Sequence, residues 1–372
     1  MSFFRFLYPF FFLLGVQMFT GCTRPISLAE VPLQPAPGQD SAVRPPLVVH
    51  EKITLAAAPV EKFVCYRSTL IFASRNGRIN AWHPDTGLLR GKIRLEANAE
   101  PVLAVSQNGL LVVGDKFNRS NLSCYDLQSG QRLWQQQAGV IVSPPVIADS
   151  SIYLLTRFRQ LKRYDLKTGV KLWVYLFPGQ AVAPPVIAGR HVIFATEKGE
   201  AFSVTRFDGE LAWQQNVFDE AVLAAPLVHG DAVFLFSRDG RVAQLSRQSG
   251  SVQWQKKIAT GQFRHSAAYA DSTLFLTSSA GEVIAFDLRT RETAWVLSTP
   301  MPAGSGPVVH QDVLYFSSMD RHLYSVDITS GEIVQKVKLA GRGRTRPVFC
   351  GPFLATGSED RYVFILGPEA NR

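Results

Sequence analysis

Short apolar runs, each opened by proline and closed by a glycine turn, recur along this chain at a spacing of about 41 residues. One unit begins Pro144-Pro-Val-Ile147 and continues Ile152-Tyr-Leu-Leu155; the next begins Pro184-Pro-Val-Ile187 and continues Val192-Ile-Phe-Ala195. Runs of this length are too short for helices and predict strands. A turn such as Asn76-Gly77, Lys198-Gly199 or Asp239-Gly240 then leads into an alternating stretch like Arg241-Val-Ala-Gln-Leu245, which reads as a hairpin. A second turn, Asp-x-x-Ser/Thr-Gly, carries the chain into a strand that contains tryptophan. Each unit therefore predicts four short antiparallel strands.

Trp134, Trp173, Trp213, Trp254 and Trp295 follow one another at intervals of 39, 40, 41 and 41 residues, the signature of a repeat architecture. In the second turn an Asp carboxylate accepts backbone N–H groups two residues on, and Gly adopts a positive φ. Asp126 with Gly130, Asp165 with Gly169, and Asp327 with Gly331 fit this rule, whereas Gly87, Gly209 and Gly250 lack the Asp and Arg291 replaces the glycine after Asp287. Such drift suits a structural repeat and not a catalytic residue. Units this small cannot bury a core alone, and radial stacking into a propeller leaves the fewest open edges.

Copies begin near residues 59, 99, 143, 184, 225, 265, 306 and 346, so the prediction is an all-β, eight-bladed β-propeller of four-stranded antiparallel blades over residues 47–368. The last copy runs out after Arg361-Tyr-Val-Phe-Ile-Leu366, before an Asp turn or a fourth strand. The segment Leu47-Val-Val-His-Glu-Lys-Ile-Thr-Leu55 precedes the first copy and is expected to supply the missing outer strand, closing the ring. An unbroken repeat makes this one domain despite its 372 residues.

Outside the repeat, the first 21 residues carry Arg5 and an apolar stretch from Phe6 to Phe19, the pattern of an export signal. Phe19-Thr20-Gly21-Cys22 resembles a lipobox, which implies cleavage before Cys22 and lipid on that cysteine; Thr23, where Asp would favour the inner membrane, implies the outer one. The proline-rich residues 22–46 read as an extended tether that holds the propeller in the periplasm. The alternative is an uncut anchor, although the apolar run falls short of a spanning helix. Cys65, Cys124 and Cys350 have no metal spacing. Cys65 and Cys350 fall on the first strands of blades one and eight, neighbours in the ring; they read as buried thiols, with a disulfide as the alternative.

The net charge of +9 is spread along the chain, and no nucleic-acid module is present. The seven histidines are scattered without metal spacing, and there is no Gly-x-Ser-x-Gly elbow, Walker loop or paired-carboxylate motif. Sorting loops by blade geometry puts Arg75, Arg78, Arg119, Arg157, Arg159, Arg238, Arg241, Arg264, Arg321 and the run Arg342-Gly-Arg-Gly-Arg-Thr-Arg346 on one face, partly offset by acids, which reads either as a solvated loop face or as a contact surface. Arginine there suits recognition of carboxylates on a partner. The tryptophan signature is similar to that of quinoprotein dehydrogenases, where it chiefly docks one blade on the next and the indole N–H satisfies a backbone carbonyl. Asp126, Gly130, Trp134, Asp165, Gly169, Trp173, Trp213, Trp254 and Trp295 are read as such docking residues. The adjacent cysteine pair found beneath the cofactor of those enzymes is missing, so neither cofactor nor metal is expected.

Lipobox, tether and eight Asp-x-x-Ser/Thr-Gly-x-x-x-Trp blades together resemble the BamB family, the propeller lipoproteins of the outer-membrane β-barrel assembly machinery. The sharpest local likeness is Asp239-Gly-Arg-Val-Ala-Gln-Leu-Ser-Arg-Gln-Ser-Gly-Ser-Val-Gln-Trp254. The resemblance implies a non-catalytic scaffold that binds the periplasmic domains of the barrel-forming subunit, a BamA-like protein, through loops between central blades. By position these loops are Phe218–Ala224 and Lys256–His265, with Val222 and Leu223 as apolar anchors and Arg264 as a polar clamp. The second is basic where the family's is acidic. Unfolded outer-membrane proteins are a further expected partner, by strand addition at a blade edge. The alternatives are a scaffold for another envelope complex and, more remotely, a quinone-dependent dehydrogenase.

Overall fold

The computed structural model describes residues 43–95, 100–115 and 121–369; the export signal, Cys22, the tether up to residue 42, and Arg119 lie outside them. The eight-bladed propeller is confirmed: eight four-stranded sheets, each antiparallel. Blades one to seven span 64–94, 101–137, 146–176, 186–216, 227–257, 268–298 and 308–338. Blade eight takes Val348–Cys350, Phe353–Ser358 and Tyr362–Pro368 from the end of the repeat and Leu47–Thr54 from its beginning. The borrowed strand is antiparallel to its neighbour, from Leu47 opposite Pro368 to Thr54 opposite Tyr362.

Strand position within a blade explains each strand's sequence. The second strand is covered on both faces, so Ser151–Thr156 is buried at every residue. The outer strand is covered on one side, and Lys171–Leu176 correspondingly shows exposed residues flanking the half-buried Trp173 and Tyr175. The core lies between blades. Ile193 and Trp213 of blade four, for example, pack with Val233, Leu235 and Leu245 of blade five. No blade covers its own apolar faces, which is why the unit must repeat and close.

The turn motif and the tryptophan meet across this boundary. Asp165 accepts hydrogen bonds from the Lys167 and Thr168 amides at 3.1 and 2.8 Å, bringing Gly169 to φ 71°. Burial would raise the Asp165 pKa, but these bonds and the Thr168 hydroxyl outweigh it and hold the carboxyl below its usual range. The indole of the preceding blade lies on that glycine. A Cβ on Gly169 would stand 2.5 Å from Trp134 Cδ2, and Gly209, Gly250 and Gly331 lie as close beneath Trp173, Trp213 and Trp295. The indole N–H groups of Trp134, Trp173, Trp213 and Trp295 donate to the carbonyls of Leu166, Arg206, Arg247 and Ile328 at 2.9–3.0 Å. Trp254 departs from this rule. The next blade presents Arg291 where the glycine should be, its guanidinium 5.8 Å from the indole ring, and the Trp254 N–H turns to Gln244 of its own blade at 2.7 Å.

Ring closure uses other chemistry. Gln335 stands four residues after Gly331, where a tryptophan is expected, and its amide grips Leu47 from both sides: Leu47 N–H donates to Oε1 at 2.7 Å and Nε2 donates to the Leu47 carbonyl at 2.8 Å. Glu51 fills the tryptophan position of the borrowed strand and accepts the Trp82 N–H of blade one at 2.9 Å. Cys65 and Cys350 form a disulfide with a Cα separation of 5.4 Å, so the reading of them as free thiols is corrected. The same two strand positions bring His229 against Tyr269 and His310 against Phe349 at other boundaries, which places side chains from neighbouring inner strands in direct contact. Cys124 alone is a free, buried cysteine among the described residues.

Three outcomes follow from these contacts. Trp173→Ala is expected to cost about 3–5 kcal/mol. Gly209→Ala is also destabilising, and the double variant loses less than the sum because both changes strike one contact; denaturant melts of the four proteins measure this. Replacing Cys65 and Cys350 by serine should cost about 2–5 kcal/mol in denaturant, and reductant should reproduce the loss in the natural chain but not in the variant. Because Asp126, Asp165 and Asp327 have lowered folded-state pKa values, their stabilisation is present above the unfolded carboxylate pKa of about 4 and is lost as pH falls through the lower folded values. Thermal melts from neutral to acid pH should show this decline, and Asp165→Asn should flatten it.

Candidate functional site

Bridges Val222 to Ser237, Phe263 to Ser278, Ala303 to Ser318 and Gly343 to Ser358 tie four of the inter-blade connections to the hairpins of the blades they enter. The Arg157, Arg238 and Glu359 amides donate to the carbonyls of Val140, Ala221 and Arg342 at 2.7–3.0 Å and repeat the arrangement. Connections and hairpins therefore share one face, as the sequence geometry required. The arginine run divides on that face. Arg342 and Arg344 are exposed and share Glu359, at 3.4 and 3.0 Å. Arg346 turns inward, donates to the Pro307 carbonyl at 2.9 Å, and leaves its Nε buried without a hydrogen-bond partner among the described residues.

Around the axis these connections form the mouth of the central channel, a cavity of about 230 Å³ whose wall includes Glu61, Lys62, Leu223, Arg264, His265 and Arg346. Burial lowers the Lys62 pKa, assisted by the charge of Arg346, although Lys62 keeps access to channel solvent. Burial also lowers Arg346 from its usual value, opposed by Glu61. His265 lies 3.9 Å from Glu61, yet burial outweighs that carboxylate and lowers its pKa, favouring the neutral ring. The mouth thus concentrates cationic side chains around a smaller acidic component.

Arg264 is exposed at this rim, its Nε donating to Gln262 at 2.8 Å, and Leu223 is half-buried beside the mouth. Val222 must be corrected. It is 1% exposed and packed in the core between blades four and five, so it has no surface to offer as an anchor. Its bridge to Ser237 turns the side chain inward, and period-two alternation leaves Leu223 pointing elsewhere. Sequence reasoning missed Glu61, Lys62 and His265 as a cluster because the first two enter blade one and His265 enters blade six, about 200 residues further on, with no spacing to join them. It also missed Gln335 and Glu51, although the Gly331-to-Gln335 interval matches the Gly-to-Trp interval of the other copies.

Among the described residues, no group of three or more His, Cys, Asp and Glu side chains is placed to hold a metal ion. The Cys124 thiol is pushed up to about 12 by burial first and by Asp126 second, which disfavours its nucleophilic thiolate form. Charge complementarity to another macromolecule is what the rim can offer.

The sequence profile of the family described as "Outer membrane protein assembly factor BamB" matches residues 75–296 and 279–363. A protein of that description from Shewanella oneidensis is 24% identical over 258 residues, an alignment spanning 65% of this chain and 64% of the relative. The crystal structure of BamB from Moraxella catarrhalis superposes with a TM-score of 0.74 at 17% identity, covering 86% of this chain and 99% of that one. The designed protein Ika8 gives a TM-score of 0.75 at 14% identity, with 84% and 96% coverage. A europium-containing methanol dehydrogenase gives 0.73 at 11%, with 86% and 93% coverage. At these identities the structural likenesses carry the fold alone, since an enzyme, a designed protein and an assembly factor share it. The profile, which runs through nearly every blade, places this chain in the family of outer membrane protein assembly factor BamB.

Proposed function

We propose that this protein is a non-catalytic periplasmic scaffold of the outer-membrane β-barrel assembly machinery, anchored to the outer membrane by lipid on Cys22. The observation that carries this reading is the family match across the propeller. The Phe19-Thr20-Gly21-Cys22 sequence and the proline-rich residues that follow supply the anchor and the reach.

The proposed contact is the channel-mouth face, where it meets the periplasmic domains of the barrel-forming subunit. Leu223 contributes apolar surface and Arg264 a planar charge that can take a carboxylate in two parallel hydrogen bonds. Since Val222 belongs to the core, Leu223 and Arg264 now carry the contact, with Arg342 and Arg344 on the surrounding rim. A predominantly cationic rim speeds encounter and selects an acidic counterpart, and a part-buried anchor slows release.

Affinity capture of the tagged, lipidated protein from gently solubilised envelopes tests this reading. The natural chain should recover a barrel protein bearing periplasmic domains. Leu223→Asp with Arg264→Glu should reduce that recovery by about ten-fold while leaving the melting temperature unchanged. Recovery of a different envelope complex would move the scaffold to another machine, and unchanged recovery by the variant would remove these two residues from the contact.

A further inference from the structure

Among the described residues, every blade ends in an outer strand that has a hydrogen-bonded neighbour on one side only. Open edges invite pairing with another chain, and proteins suppress this with polar or charged side chains along the edge. Six blades follow that practice at the positions one and three residues beyond the tryptophan or its equivalent. Blade two carries Gln135 and Gln137, blade four Gln214 and Asn216, blade five Gln255 and Lys257, and blade seven Lys336 and Lys338. Lys92 and Arg94 serve blade one, and Lys52 and Thr54 serve the borrowed strand of blade eight. Blade six has Val296 but returns to Ser298. Blade three alone is apolar at both positions.

Its outer strand, Lys171–Leu176, presents Leu172, Val174 and Leu176 with 46%, 37% and 68% of their surface exposed. Alternation sets these three on the face opposite Trp173, whose indole docks on blade four. Leu176 pairs with Gln160, and two residues before Gln160 the hairpin tip carries Phe158, 63% exposed. An apolar row thus follows the open edge from Leu172 toward the loop face. Exposed Lys171 lies at one end of the row, and exposed Arg157 and Arg159 flank Phe158 at the other.

We propose that the outer edge of blade three accepts an extended segment of another polypeptide as a fifth strand, apolar at every second residue and acidic at its ends. Unpaired backbone groups would supply affinity, the apolar row would select alternating side chains, and the cationic ends would set register against acidic flanks. The row is one residue wide and follows a strand, which fits a peptide better than a lipid surface. Cations at both of its ends disfavour antiparallel pairing with a second copy of the same edge. This site is separate from the channel mouth and stands independently of the partner proposed there.

The test uses the full mature chain and a fluorescein-labelled peptide, Glu-Val-Thr-Val-Thr-Val-Glu, followed by anisotropy. Val174→Gln with Leu176→Gln copies the glutamines of blade two and should weaken binding by about ten-fold or more without lowering the melting temperature. Val296→Gln in blade six should leave binding unchanged. A peptide N-methylated at every residue should not bind, because neither of its edges can then extend the ladder. The proposal is overturned if the natural chain fails to bind the peptide, if the Val174/Leu176 variant binds it equally, or if N-methylation has no effect. It is also overturned if the two glutamines abolish sedimentation with phosphatidylethanolamine–phosphatidylglycerol vesicles, or dissociate a dimer in ultracentrifugation, while peptide binding stays the same.

Discussion

The contact between an indole and the turn glycine of the following blade organises the molecule. It needs two features from one repeat and supplies them to different neighbours: an Asp-anchored turn that exposes a bare Cα at positive φ, and a tryptophan four residues later that reaches the next such turn. Glycine is required twice over, by its conformation and by the 2.5–2.7 Å that separates a hypothetical Cβ from the ring. The flat face of the indole then buries apolar area while its N–H donates to a backbone carbonyl of the next blade. Arg291 shows what the glycine contributes. It reaches the required left-handed conformation, at φ 61°, but its side chain stands beside the indole and Trp254 finds another acceptor.

Closure obeys a different logic because the last blade is assembled from both ends of the repeat. Among the described residues the borrowed strand has no Asp turn before it and offers blade seven no glycine seat, and the Gln335 amide grips its backbone directly. Glu51 then takes the place of an indole toward blade one, accepting a bond from Trp82 where the regular boundaries donate one to a carbonyl. The Cys65–Cys350 disulfide crosses the same boundary between inner strands. Hydrogen bonds at the periphery secure both boundaries of the closing blade, and a covalent link near the axis adds to the one it shares with blade one; neither boundary has the indole-on-glycine contact.

Two surfaces of this scaffold differ in chemistry because they differ in what the fold asks of them. The loop face gives inward residues such as Val222 to the inter-blade core and leaves the rest in solvent, so charged residues collect there and converge on the channel mouth. The outer edges are constrained by the danger of unwanted pairing, and polar side chains answer it at both positions on six blades, at one on blade six and at neither on blade three. A rim that recognises charge and an edge that recognises extended backbone would let one rigid ring hold a folded partner and an unfolded segment at once.

The sequence by itself determined the architecture. A period of about 41 residues, the Asp turns and the alternating strands leave few alternatives, and the orphan Leu47–Leu55 segment identified how the ring closes. The docking residues were legible for the same reason: they recur, so each copy supports the reading of the others. Only the tertiary structure decided contacts between residues that occur once. Val222 and Leu223 are neighbours of similar hydrophobicity, and which one faces the core depends on the Val222–Ser237 bridge. Cys65 and Cys350 are separated by 285 residues and meet because closure makes the first and last inner strands adjacent. Glu61, Lys62, His265 and Arg346 become one cluster because radial symmetry brings several chain segments to a single axis. A linear spacing encodes each blade and its boundary, whereas the mouth belongs to the completed circle.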